Sequence, residues 1–201
     1  MTTNNTKIII FGSLTVGKTT IAAQLELGRF VQPYNPTFQH TFYAKIEVDG
    51  YSYKLEILDT VDLDIYNTIR DIQISTADGF LIVYSITDRN SFDEIDHYRN
   101  TIYTILNKTH KEHVPIVLCG NKSDLESARI VPIEDGEKIA EEWKVSFFET
   151  SAKSRINIDE VFQEVVRNII KTKSNQKLYG TNKHKKCTCI YRYKIECVQE
   201  T

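Results

Sequence analysis

The sequence predicts a doubly wound α/β domain, and three observations predict it. Short, continuous apolar runs recur along the chain. Helix-like stretches separate most of them. One pair of runs is instead joined by Asp49-Gly50, the signature of a tight hairpin. Alternation of buried strands with helices calls for a parallel sheet covered on both faces, and the hairpin adds one antiparallel strand.

The elements follow in order. Ile8–Phe11 reads as a buried parallel strand and Thr19–Leu27 as a helix. Residues 29–41 contain two Pro and no period, which predicts a loop. Ala44–Val48 and Tyr51–Leu58 form the hairpin. Phe80–Tyr84 and Val114–Cys119 are further buried strands. Ser91–Asn107 reads as one long helix, with Ser91 as N-cap and Glu94 completing a capping box. Pro132–Trp143 is a helix, Ser146–Glu149 a last strand and Ile158–Ile170 a last helix. Periodicity stops near Lys173, so residues 1–172 are expected to form the domain and 173–201 a tail.

Composition narrows the class. The 201 residues are 41% hydrophobic and 26% charged, enough apolar material for a full core. Eight Gly and four Pro exclude collagen-like or low-complexity character. No apolar run reaches the ~20 residues of a membrane span. The polar MTTNNTK start predicts no secretory signal. Net charge is −2 but uneven: Lys171–Thr201 holds 8 Lys+Arg against 2 Asp+Glu, leaving the body acidic. That pattern argues against a nucleic-acid partner. The basic tail either meets an anionic surface, such as the cytoplasmic membrane face, or is merely solvated. Of four Cys, only Cys119 lies in the body, so no disulfide framework is expected and the protein reads as cytoplasmic.

Two motifs carry chemistry. Gly12-Ser13-Leu14-Thr15-Val16-Gly17-Lys18-Thr19 fits G-x-x-x-x-G-K-[ST], after a strand and opening a helix. In that context backbone N–H groups curl around phosphates and the helix N-terminus adds positive potential. Lys18 then reaches the β- and γ-phosphates, and the Thr19 hydroxyl binds Mg²⁺. The second motif is Asn121-Lys122-Ser123-Asp124, at the end of a predicted strand. A fixed carboxylate there accepts from two adjacent ring donors, which guanine presents and adenine does not. A site built this way discriminates by roughly 10⁴-fold.

With these residues in place, the chain resembles a small GTPase of the Ras superfamily, closest to the Ras/Rap branch. Pro36-Thr37, Asp59-Thr60 and Glu149-Thr150-Ser151-Ala152-Lys153 occur in the family's order and spacing, and the likeness covers roughly residues 7–170. It implies a P-loop small G domain, with a six-stranded, mostly parallel sheet flanked by helices. It implies GTP or GDP with Mg²⁺, the metal held through Thr19, Thr37 and Asp59. Nucleotide contacts are implied along Gly12–Thr19 and at Thr20, at Phe30 and Tyr34, and at Asn121, Lys122 and Asp124. Ser151, Ala152 and Lys153 form the second guanine loop, where the Ala152 N–H meets the guanine carbonyl. Lys18 and Thr37 are implied in hydrolysis. An exchange factor and effector proteins are the implied partners of a monomeric switch in signal transduction.

Departures from the family pattern cluster where hydrolysis occurs. Leu63 stands at the Gln that orients the attacking water, and it cannot hydrogen-bond. Leu14 stands at a Gly that leaves room for an activating protein's arginine, worth roughly 10³–10⁵ in rate. Asp62 stands at the pivot Gly of the second switch; its carboxylate either faces the γ-phosphate or turns to solvent. In the effector loop the usual acidic pair is Gln39-His40, so typical Ras effectors are expected to bind poorly. The expected function is therefore a GDP/GTP-dependent switch with slow or impaired hydrolysis, or else a non-switching pseudo-GTPase interaction module. Lys183-His184-Lys185-Lys186-Cys187-Thr188-Cys189-Ile190 looks like a polybasic segment and a prenylation box, yet eleven residues follow it. Prenylation is not expected there, whereas palmitoylation of Cys187 or Cys189 remains open.

Overall fold

The computed structural model describes residues 5–30, 39–60 and 67–180. Six strands form one sheet: β1 (Asn5–Phe11), β2 (Gln39–Val48), β3 (Tyr51–Thr60), β4 (Gly79–Ser85), β5 (Ile116–Asn121) and β6 (Ser146–Thr150). Their order is β2-β3-β1-β4-β5-β6, and only the β2–β3 pairing is antiparallel. The expected six-stranded, mostly parallel α/β architecture is what the chain adopts.

The period of two explains how the sheet holds its layers. Ile8 and Ile10 of β1, Leu81 and Val83 of β4, and Val117 and Cys119 of β5 face one core. That core is completed by α1 (Lys18–Leu27) and α6 (Ile158–Gly180). Ile9 and Phe11, Ile82 and Tyr84, and Ile116 and Leu118 face the other. It is covered by α2 (Asn67–Thr76), α3 (Arg89–Asp93), α4 (Ile95–Ile105) and α5 (Ile133–Trp143). Every residue of β4 and β5 is buried, which is why those strands read as continuous apolar runs. Each fully buried Ile or Phe contributes about 1.5–3 kcal/mol.

Several elements differ from expectation. The hairpin turns at Asp49 (φ 51) and Gly50 (φ 82), both left-handed as a tight two-residue turn requires. Strand β2, however, begins at Gln39, inside the expected loop. The long helix from Ser91 is two helices jointed at Glu94. Its start is capped by Asp88, whose carboxylate accepts the Asn90 N–H. Ser91 Oγ instead accepts the Ser85 N–H and donates to the Asp88 carbonyl, so no capping box forms. Helix α2 was not expected. Helix α6 continues past Ile170 because residues there grip the domain. Thr172 bonds His113, and Lys173 pairs with Asp78 at 2.7 Å.

Candidate nucleotide-binding site

Strand order reverses at β1, with β3 on one side and β4 on the other. In such sheets the crevice at the carboxyl ends of the strands is where ligands bind. The C-termini of β1, β3, β5 and β6 deliver, respectively, the Gly12–Lys18 loop, Asp59, Asn121–Asp124 and Ser151–Lys153. Four segments far apart in sequence thus meet at one rim.

The loop after β1 folds as its motif requires. Gly12 (φ 148) lies so close to β4 that a Cβ would stand 2.1 Å from the Val83 carbonyl oxygen. Gly17 (φ 101) lies against Asn121, where a Cβ would stand 2.3 Å from Nδ2. Only glycine meets both demands. Thr15 also takes a left-handed conformation, φ 61, which costs a β-branched residue roughly 1–2 kcal/mol. The buried Lys18 ammonium donates to the carbonyls of Gly12 (2.7 Å) and Ser13 (2.9 Å), closing the loop on itself. Val16 anchors the loop in the core, and Thr20 continues α1 half-buried.

Asp59 is 1% exposed at the end of β3. Its Oδ2 accepts from the Thr19 hydroxyl, while Oδ1 has no hydrogen-bond partner among the described residues. Burial raises its pKa, opposed by the Thr19 hydrogen bond and by the charges of Lys18 and His40. A buried carboxylate oxygen left unpaired beside a hydroxyl fits a hard cation held partly by substrate phosphates. Thr19 and Asp59 are the residues that would hold it; Thr37 lies outside the described residues.

The far end of the site is built on Asn121. Its Nδ2 donates to the Val16 carbonyl at 2.8 Å, and its Oδ1 accepts from the Thr150 hydroxyl and the Ala152 N–H. The Ala152 N–H expected to meet guanine is thus shared with Asn121, at 3.3 Å. Asp124 Oδ1 accepts from Ser151 Oγ at 2.6 Å, and Ser151 Oγ in turn accepts the Ser154 N–H. Lys122 takes a left-handed conformation, φ 71, and burial lowers its pKa. Lys153 is exposed, and Phe30 is 37% exposed beyond α1. Tyr34, Asp62 and Leu63 lie outside the described residues.

Two supports escaped sequence reasoning. Arg129 donates to both oxygens of Glu149 (2.6 and 2.8 Å) and to Glu126 (2.7 Å), fixing the strand that leads into Ser151. Arg155 donates to the Gln24 carbonyl at the end of α1 and pairs with Asp159. Glu126 and Asp159 are neighbours of their arginines in sequence, but only the fold brings Glu149 to Arg129 and the Gln24 carbonyl to Arg155.

A sheet of this order, with a closed glycine-bounded loop at its switch point, defines a P-loop nucleotide-binding protein. The family model described as Ras family matches residues 7–171. The chain belongs to the Ras family of small GTP-binding switch proteins.

Proposed function

We propose that this Ras-family protein, nearest the Ras/Rap branch, signals through its bound guanine nucleotide, hydrolyses GTP slowly and is set mainly by exchange. The observation that carries this reading is Leu14. The residue is 54% exposed on the phosphate loop, where the family pattern has Gly. An isobutyl group there occupies the approach that an arginine supplied in trans would use. Leu63 and Asp62 act in the same direction: one cannot orient water, and the other adds a side chain at the pivot of the second switch.

Mg²⁺, when bound, neutralises charge on the transferred phosphoryl group. Lys18, Thr19, Thr37 and Asp59 are the residues assigned to the phosphates and the metal, and Asp124 to the base. An exchange factor and effectors are the partners. His40 is exposed on β2, its ring centroid 4.4 Å from that of Phe42, and offers a basic effector edge no carboxylate. The basic tail, with Cys187 and Cys189, is assigned to a membrane face. Lysines there add about 1 kcal/mol each near an anionic leaflet.

The test is single-turnover hydrolysis of preloaded GTP by wild type and by the triple variant Leu14→Gly, Asp62→Gly, Leu63→Gln, after identification of the nucleotide carried by purified protein. The expected result is bound GDP or GTP and at least tenfold faster turnover in the triple variant. Equal rates would remove the claim of impaired hydrolysis, and a folded, nucleotide-free protein would favour a non-switching module.

A further inference from the structure

Ser13 Oγ donates to Glu94 Oε2 at 2.5 Å across 81 residues, the length of a charge-assisted hydroxyl–carboxylate bond. Glu94 is the joint between α3 and α4. The same oxygen accepts from the Tyr98 hydroxyl at 3.3 Å. The Tyr98 ring stacks on Phe11 at 6.1 Å between centroids. Phe11 is the last residue of β1, directly before Gly12. One carboxylate therefore reaches the start of the phosphate loop twice, directly at Ser13 and through Tyr98 at Phe11. The Ser13 carbonyl in turn receives Lys18 Nζ, so Ser13 shares with the Gly12 carbonyl in seating the ammonium.

We propose that Glu94 is a positioning residue: it fixes Ser13 so that the loop stays preorganised for phosphate, and thereby slows nucleotide release. The proposal rests on reading Gly12–Thr19 as the phosphate site. Preorganised donors bind without the ordering cost that a loose loop incurs. The carboxylate's charge acts the other way, because it repels a polyphosphate. Tether and charge thus have opposite signs, and variants can separate them. Glu94→Ala removes both, Glu94→Gln keeps an acceptor oxygen without the charge, and Ser13→Ala removes only the donor.

The experiment uses full-length protein loaded with fluorescent GDP, with release followed after addition of excess unlabelled GDP. Wild type, Glu94→Ala, Glu94→Gln, Ser13→Ala and the Ser13→Ala/Glu94→Ala double variant are compared, each with its melting temperature. The expected result is release about five- to tenfold faster in each alanine variant and no faster than wild type in Glu94→Gln. The double variant should be no faster than the faster single variant, as two ends of one bond require. Wild-type release from Glu94→Ala, equal release from Glu94→Ala and Glu94→Gln, or multiplying effects in the double variant would each overturn the proposal. Wild-type protein that takes up no GDP would overturn the phosphate-site reading itself, before any variant is compared.

Discussion

Asn121 and Val16, 105 residues apart, are joined by a hydrogen bond of 2.8 Å from the amide Nδ2 to the loop carbonyl. The bond is buried and ties the Asn121–Asp124 loop, assigned above to the base, to the Gly12–Thr19 loop, assigned to the phosphates. The spacing of the two loops is thereby fixed by the protein itself.

Asn121→Ala should break that tie and leave the Val16 carbonyl, the Thr150 hydroxyl and the Ala152 N–H short of a partner. An unsatisfied buried polar group costs about 1–3 kcal/mol. GDP affinity should fall at least tenfold, with a lower melting temperature. Titration with fluorescent GDP checks it; unchanged affinity would mean that other contacts hold the two loops together.

Asp124→Asn should exchange base preference. The carboxylate only accepts, whereas an amide can donate to the second carbonyl of xanthine while still accepting from Ser151 Oγ. Competition between GDP and xanthosine diphosphate should move from strong GDP preference towards the xanthine nucleotide. Retained GDP preference would disprove the assignment of Asp124.

Arg129→Ala should destabilise the domain by about 2 kcal/mol, the worth of partly buried hydrogen bonds to charged groups. Side-chain exposure is 18% for Arg129 and 14% for Glu149, so solvent replaces little of what is lost. Arg129→Lys should recover only part, because an ammonium cannot match the two oxygens of Glu149 as a planar fork does. Denaturant midpoints at constant slope are the measurement; a shift worth less than about 0.5 kcal/mol would contradict the argument.

Cys119 should stay unreactive in the folded protein up to strongly alkaline pH. Burial pushes its thiol from 9.0 up to about 12, with the Thr150 hydroxyl opposing. The thiolate, which is the reactive form, is absent at working pH. Because the folded value lies above the unfolded one, the stability that Cys119 contributes is complete below pH 9 and is lost as pH rises towards 12. Site-resolved alkylation at pH 8.5 should label Cys119 only on unfolding, and Cys119→Ala should flatten the alkaline fall in melting temperature. Rapid labelling of the native protein would refute this.

What the sequence made legible were features encoded within a few residues. Continuous apolar runs marked β4 and β5, Asp49-Gly50 marked the hairpin, and the glycine spacing marked the loop at Gly12–Thr19. Helix α2 escaped because NTIRDIQIST is poor in strong helix formers, and its Ile69 and Ile72 are exposed while Ile74 is buried. The Ser91–Glu94 pattern misled because the Glu94 side chain bonds Ser13 rather than the Ser91 N–H a capping box requires. Arg129 and Arg155 act across 20 and 131 residues, respectively, and no local spacing reveals such partners.

The central place of β1 in the sheet bears on how the chain is made. Its Ile8, Ile9 and Ile10 are made before the other strands, yet β4, their partner on one flank, ends only at Ser85. At synthesis rates of about 5–20 residues per second, that wait lasts several seconds. Through it, a strand with the apolar run Ile8–Phe11 holds one open hydrogen-bonding edge, the condition under which nascent chains pair wrongly. GTP or GDP cannot relieve it, because the loop at Ser151–Lys153 emerges later still. A chain lacking β1 would uncover the edges of β3 and β4 together.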